Sequence, residues 1–142
     1  MVAYQDTLSR SNQKAAVPIT VNKGVTLSAD DCIQLHFKAS KDVYGYLIHQ
    51  SSTGIIKKYF EGKLIAGQSY QFPEEGTNAC LTGKPGKEIF YLITSKTPLV
   101  NFDDKILPIT NPTEQIPHPD VLQVIKSLFP QAIIETFDYS FK

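Results

Sequence analysis

Little in this chain points to a reaction. Its 142 residues include no tryptophan, one methionine, two cysteines and three histidines. Zinc needs three or four ligands converging at about 2 Å. Cys32, His36 and His49 are the nearest candidates, but no Cys-x-x-Cys or His-x-x-x-His spacing joins them. Cys32 and His36 share one face of a strand, while His49 is out of step with Tyr46 and Ile48 on its own strand. No run of about 18 apolar residues exists, so no transmembrane helix is expected. Charge of one sign is not in excess either: 14 Lys and Arg balance 14 Asp and Glu. A nucleic-acid binder needs clustered cations to displace counterions from phosphates, and Lys57-Lys58 and Lys84/Lys87 are only pairs. They read as solvated strand faces and loops.

Catalytic patterns are missing as well. No serine sits in a Gly-x-Ser-x-Gly elbow. The carboxylate pairs Asp30-Asp31, Glu74-Glu75 and Asp103-Asp104 are sequence neighbours, whereas acid–base catalysis needs two carboxylates across a cleft with separated pKa values. Asn101, Asp103 and Asp104 offer clustered oxygens to calcium, but without the Asp-x-Asp-x-Asp-Gly pattern of a binding loop. Gly83-Lys84-Pro85-Gly86-Lys87 lacks the Gly-Lys-Ser/Thr ending of a phosphate loop, and Pro85 removes an amide donor. No catalytic residue, metal or cofactor is therefore expected.

What is present is a series of strands. The length suits one domain with one core. Residues 1–16 are polar, lack the apolar middle of a signal peptide, and read as a tail or linker; a signal for export, if there is one, has been removed. Residues 17–142 read as one β-rich domain. Val17–Val21 is a short apolar alternation. Cys32–Lys38 alternates with Ile33, Leu35 and Phe37 on one face, the pattern of a half-buried strand. Tyr44–Gln50 and Ile55–Phe60 flank the turn Ser51-Ser52-Thr53-Gly54 and form a hairpin. Ser69–Phe72 and Ala79–Leu81 are short strands. Glu88–Thr94 is almost continuously apolar, which predicts a central strand covered on both faces.

After Pro98 the character changes. Leu99–Pro117 is loop-like, with Pro108, Pro112 and Pro117. Pro119–Phe129 is the one convincing helix: Pro119 suits the first position, Val121, Leu122, Ile125, Leu128 and Phe129 fall on one face, and Pro130 stops it. Ala132–Phe141 alternates as a last strand with aromatic residues on its buried face. Short strands separated by frequent turns predict an antiparallel β-sandwich or open barrel with one C-terminal helix followed by a final strand.

The segment from about Gly24 to Leu99 resembles the DUF4384 family of bacterial domains of unknown function. Leu27-Ser28-Ala29-Asp30-Asp31 stands where that family has a Leu-x-x-Gly-Asp turn, with Ala29 in place of the glycine. Tyr44-x-Tyr46-Leu47-Ile48 followed by Ser52-Thr53-Gly54 resembles its Tyr-x-Tyr-Leu strand and turn, although Glu61 stands where a Pro-Asn turn often follows. Ile65-Ala66-Gly67 with Phe72-Pro73, and Gly86-Lys87-Glu88 leading into Ile89–Thr94, match two further segments. The resemblance implies an accessory module, often joined to lipoprotein, peptidase-like or kinase-like domains, and acting at the periplasm or envelope, with the cytoplasm as the other possibility.

On that reading Cys32 and Cys80 could form one disulfide, contributing about 3–4 kcal/mol if unstrained, or remain two thiols. The functional expectation is a non-catalytic recognition or assembly module that binds a protein partner. Tyr44, Tyr46, His49 and Tyr59 are the candidate contacts, since exposed tyrosines beside an unpaired strand edge suit strand addition. The alternative is a small-ligand or sensor domain, which predicts an apolar pocket between the sheets or beneath the helix.

Overall fold

A computed structural model of the chain describes residues 2–6, 19–21, 23–27, 31–74, 79–80, 85–107 and 118–141. The expected turns at Ser28–Asp30 and Gly83-Lys84, most of the 73–78 loop, and the proline-rich stretch 108–117 lie outside them.

Among the described residues, ten strands form two five-stranded sheets. The first contains β1 (Val2–Asp6), β2 (Ile19–Val21), β4 (Cys32–Lys38), β7 (Ser69–Phe72) and β8 (Ala79–Cys80). Its order is β2-β1-β4-β7, and β8 shares β7's side of β4. The second contains β3 (Val25–Leu27), β5 (Val43–Gln50), β6 (Ile56–Leu64), β9 (Gly86–Ser95) and β10 (Ile133–Phe141), in the order β3-β10-β9-β5-β6. The architecture is the expected sandwich and not a closed barrel. Pairing is antiparallel except between β3 and β10.

Hydrophobic alternation places the core. Ile33, Leu35 and Phe37 of β4 meet Leu47, Leu64, Phe90, Leu92, Phe137 and Tyr139 of the second sheet in one buried cluster. The opposite parity of the second sheet builds another. Tyr46, Ile48, Ile89, Tyr91 and Ile93 pack under α1 (Phe102–Ile106) and α2 (His118–Leu128). The second sheet is thus the middle layer of three, and the apolar run of β9 has both faces covered, as its sequence predicts. In α2, Val121 and Ile125 face the sheet, as does Phe129 just beyond its end. Leu128, expected on that face, is 37% exposed at its margin.

Three elements depart from the sequence reading. Val2–Asp6, within the expected tail, is a strand between β2 and β4. Val25–Leu27 is a strand beside β10. Within the expected loop, α1 follows Asn101, whose φ of 56° is left-handed, a conformation that asparagine tolerates better than most residues.

Candidate functional site

The interior between the sheets differs at its two ends. At the end carrying the 51–55 turn, strand order brings three polar side chains together. Glu88 on β9 stands opposite Tyr139 on β10, and His49 on β5 stands opposite Phe90. The His49 Nε2–Glu88 Oε1 distance is 2.8 Å. The Tyr139 hydroxyl donates to the same oxygen at 3.0 Å. His49 and Glu88 keep side-chain exposures of 13% and 8%, and Tyr139 is buried.

Aromatic rings close this end. His49 lies 4.5 Å from Phe90, ring centre to ring centre, and Phe72 of the first sheet lies 4.7 Å from Tyr59. Tyr59 reaches the cluster through a β-bulge. Leu47 pairs with Phe60 and Ile48 with Lys58, so Tyr59 is the extra residue and its ring is redirected inward. Burial raises the Tyr139 phenol pKa, and the charge of Glu88 and the hydrogen bond to it raise it further. The Tyr59 phenol is raised by burial and then by the same carboxylate. Both donors on Glu88 are held by the cluster itself, inside an aromatic shell. The arrangement is a polar strut between strands.

The opposite end is open. Here β4, β6 and β9 finish while β5 and β10 begin, and they leave a cleft of about 840 Å³. Val43, Leu64, Leu92 and Ile133 supply its apolar lining. Ile133 is 69% exposed, because the sandwich no longer covers the first residues of β10. Lys38, Lys41 and Lys96 stand around it, together with Asp42 and Glu135. One rim is fixed by hydrogen bonds: Gly67 donates its N–H to the Ala39 carbonyl at 2.9 Å, and the Asp42 carboxylate accepts the Ala66 N–H at 2.8 Å.

The four candidate contact residues do not form one surface. Tyr46 is 3% exposed. Its ring stacks on Phe102 at 4.3 Å, and its hydroxyl accepts the Leu99 N–H at 2.8 Å. Tyr46 therefore anchors the 99–106 segment and has no face left for a partner. Tyr44 is half-buried on the same helix side. His49 is turned inward to Glu88, on the other side of the sheet. Tyr59, 42% exposed, is the most open of the four.

The remaining candidates are placed as follows. Cys32 is disulfide-bonded; Cys80, the only other cysteine, stands directly across from it in the β4–β8 pair. His36 bonds Gln34 at 3.3 Å on the first sheet, apart from His49 on the second. Asp103 is taken up by Lys58, whose ammonium reaches both its oxygens at 2.6 and 2.8 Å. Among the described residues no three His, Cys, Asp or Glu side chains are grouped to hold a metal, and no helix is long and apolar enough to cross a membrane.

One segment that carried the family resemblance, Gly86-Lys87-Glu88, fixes the fold at two points. Gly86 has φ +148°, and a Cβ there would lie 2.9 Å from the Ser52 Cβ in the hairpin turn. Glu88, two residues on, receives the bonds of the strut. The family model for a domain of unknown function (DUF4384) matches residues 26–98. The chain belongs to this family. No curated protein and no solved structure matches it. The DUF4384 match runs from β3 to β9 and leaves out β1, β2, β10 and both described helices. Two strands inside the sheets, and Tyr139 with them, thus come from outside the matched segment.

Proposed function

We propose that this DUF4384 domain is a non-catalytic binding module, and that it takes a small ligand in the cleft at the open end of the sandwich. The cleft carries this reading. Its volume lies within the range of about 300–1,000 Å³ common to small-molecule sites, which are typically apolar with a few polar groups. Its rim is preformed, since the 65–67 turn is tied to the 39–42 loop by the bonds described above. Such a domain, joined to others, would act as a sensor or delivery module.

Partner recognition through the Tyr44/Tyr46 hairpin has less behind it. Tyr46 is buried. The adjoining edge strand β6 carries a bulge and Lys57, Lys58 and Lys63, features that discourage strand addition. The bond at Cys32 supports an oxidising compartment such as the periplasm. Two reactive thiols in protein isolated from native cells under alkylation would count against that location.

Nile red, a neutral dye that brightens in apolar surroundings, tests the cleft. Saturable brightening is expected, with amide shifts in the wild-type chain gathered at residues 39–43 and 94–97. Thr94→Trp, which fills the cleft, should abolish the brightening. Dye binding that leaves those amides unmoved would overturn the reading, whatever the variant does.

A further inference from the structure

Resting on the cleft reading above, we propose that the ligand is an amphiphilic monoanion, with an apolar chain or ring and one carboxylate-like head. The apolar lining would cover the body, since Leu64 and Leu92 belong to the sandwich core and Val43 packs against it. The head is assigned by the charges that surround the opening. Lys38, Lys41 and Lys96 border it and are exposed. Among the described residues none of the three is ion-paired. Lys58, outside the cleft, shows the contrast: it holds Asp103 and Glu61 together.

Two carboxylates also line the cleft. The Asp42 side chain is turned to the Ala66 amide, which supports the rim and partly satisfies its charge. With Glu135 the lining holds two carboxylates against three ammonium groups. The local balance therefore favours one negative charge at the mouth. A neutral ligand would leave that excess uncompensated, and a cation would meet it head-on.

The experiment compares decanoate with decan-1-ol, both below their aggregation limits, followed by amide shifts in the full chain. Decanoate should bind saturably at residues 39–43 and 94–97, about tenfold more tightly than the alcohol. Tenfold, about 1.4 kcal/mol, is an effect that a few exposed charges acting together supply. Raising salt from about 0.05 to about 0.5 M should weaken decanoate several-fold and leave the alcohol unchanged. The triple variant Lys38→Gln/Lys41→Gln/Lys96→Gln should erase the preference, and its unchanged amide spectrum away from the cleft would certify the fold. Equal binding of both probes, unaffected by the lysines, would overturn the anionic head and leave the small-ligand reading standing. Failure of both probes to move the cleft amides would overturn the two together.

Discussion

The two ends of the sandwich interior solve the same problem in opposite ways. Where two twisted sheets meet, their strand ends expose core that something must cover. At the hairpin end, Glu88 gathers the His49 ring nitrogen and the Tyr139 hydroxyl, and Phe72, Tyr59 and Phe90 stack around them. At the other end no described residue caps the strands; Ile133 is exposed there, and Leu64 and Leu92 line the floor of a cleft bordered by lysines. A closed end made of satisfied polar groups contributes to stability. An open end with an apolar lining has surface to offer a ligand.

The largest effect expected from breaking this contrast is at the closed end. Glu88→Ala removes the acceptor shared by two buried donors. Leaving them unpaired should cost about 2–4 kcal/mol in urea unfolding. Nile red binding at the far cleft should stay within about twofold of wild type at temperatures where the variant is folded, because distant sites act independently. A large loss of dye binding would mean that the two ends are coupled.

Gly45→Ala strikes the open end from within. A Cβ at Gly45 would stand 2.6 Å from Leu64 Cδ1 and 2.9 Å from its Cγ. Leu64 must shift, and overpacking of this kind costs about 1–3 kcal/mol. Because Leu64 also lines the cleft, dye affinity should change several-fold, unlike the result at Glu88. Unfolding and dye titration on the same sample distinguish the two ends directly.

Much of the scaffold was legible in the sequence because it rests on local alternation. Cys32–Lys38 and the β5–β6 hairpin follow from period-two patterns and turn residues, and Ile89–Ile93 revealed that both faces of β9 are covered. The cover itself was harder to read. Phe102–Ile106 is too short for helical periodicity to show, so Tyr46 looked like an exposed ring when the 99–106 segment buries it. Val2–Asp6 sits in polar surroundings, and nothing local tells that β1 lies inside a sheet. The His49–Glu88–Tyr139 strut depends on the order β10-β9-β5, a property of the whole chain. The cleft depends on where five strands end, which no motif records.

A smaller effect sharpens the closed end through pH. In the unfolded chain a tyrosine ionises near pH 10, whereas burial and the neighbouring Glu88 keep Tyr139 protonated well above that value. The unfolded state therefore loses its proton first, and stability falls as pH rises beyond about 10. Tyr91, on the helix side, is pushed up to about 12 by burial and adds to the same fall. Tyr139→Phe should cost about 1–2 kcal/mol at neutral pH through the lost bond to Glu88. It should also make the alkaline decline shallower. An unchanged slope between pH 10 and 12 would show that the phenol is not held as the geometry requires.

The smallest effect on stability is expected where the effect on binding is sought. Lys41→Gln and Lys96→Gln each remove an exposed ammonium with no ion-pair partner among the described residues, and should change unfolding by less than about 0.5 kcal/mol. Lys58→Gln is the internal control. Burial alone would lower that lysine's pKa, but its bonds to Asp103 and Glu61 outweigh this and raise it, so its replacement should cost up to about 1 kcal/mol, in line with exposed pairs. If the rim lysines proved as costly as Lys58, they would be fastening the fold, and the open end would be a second strut instead of a mouth.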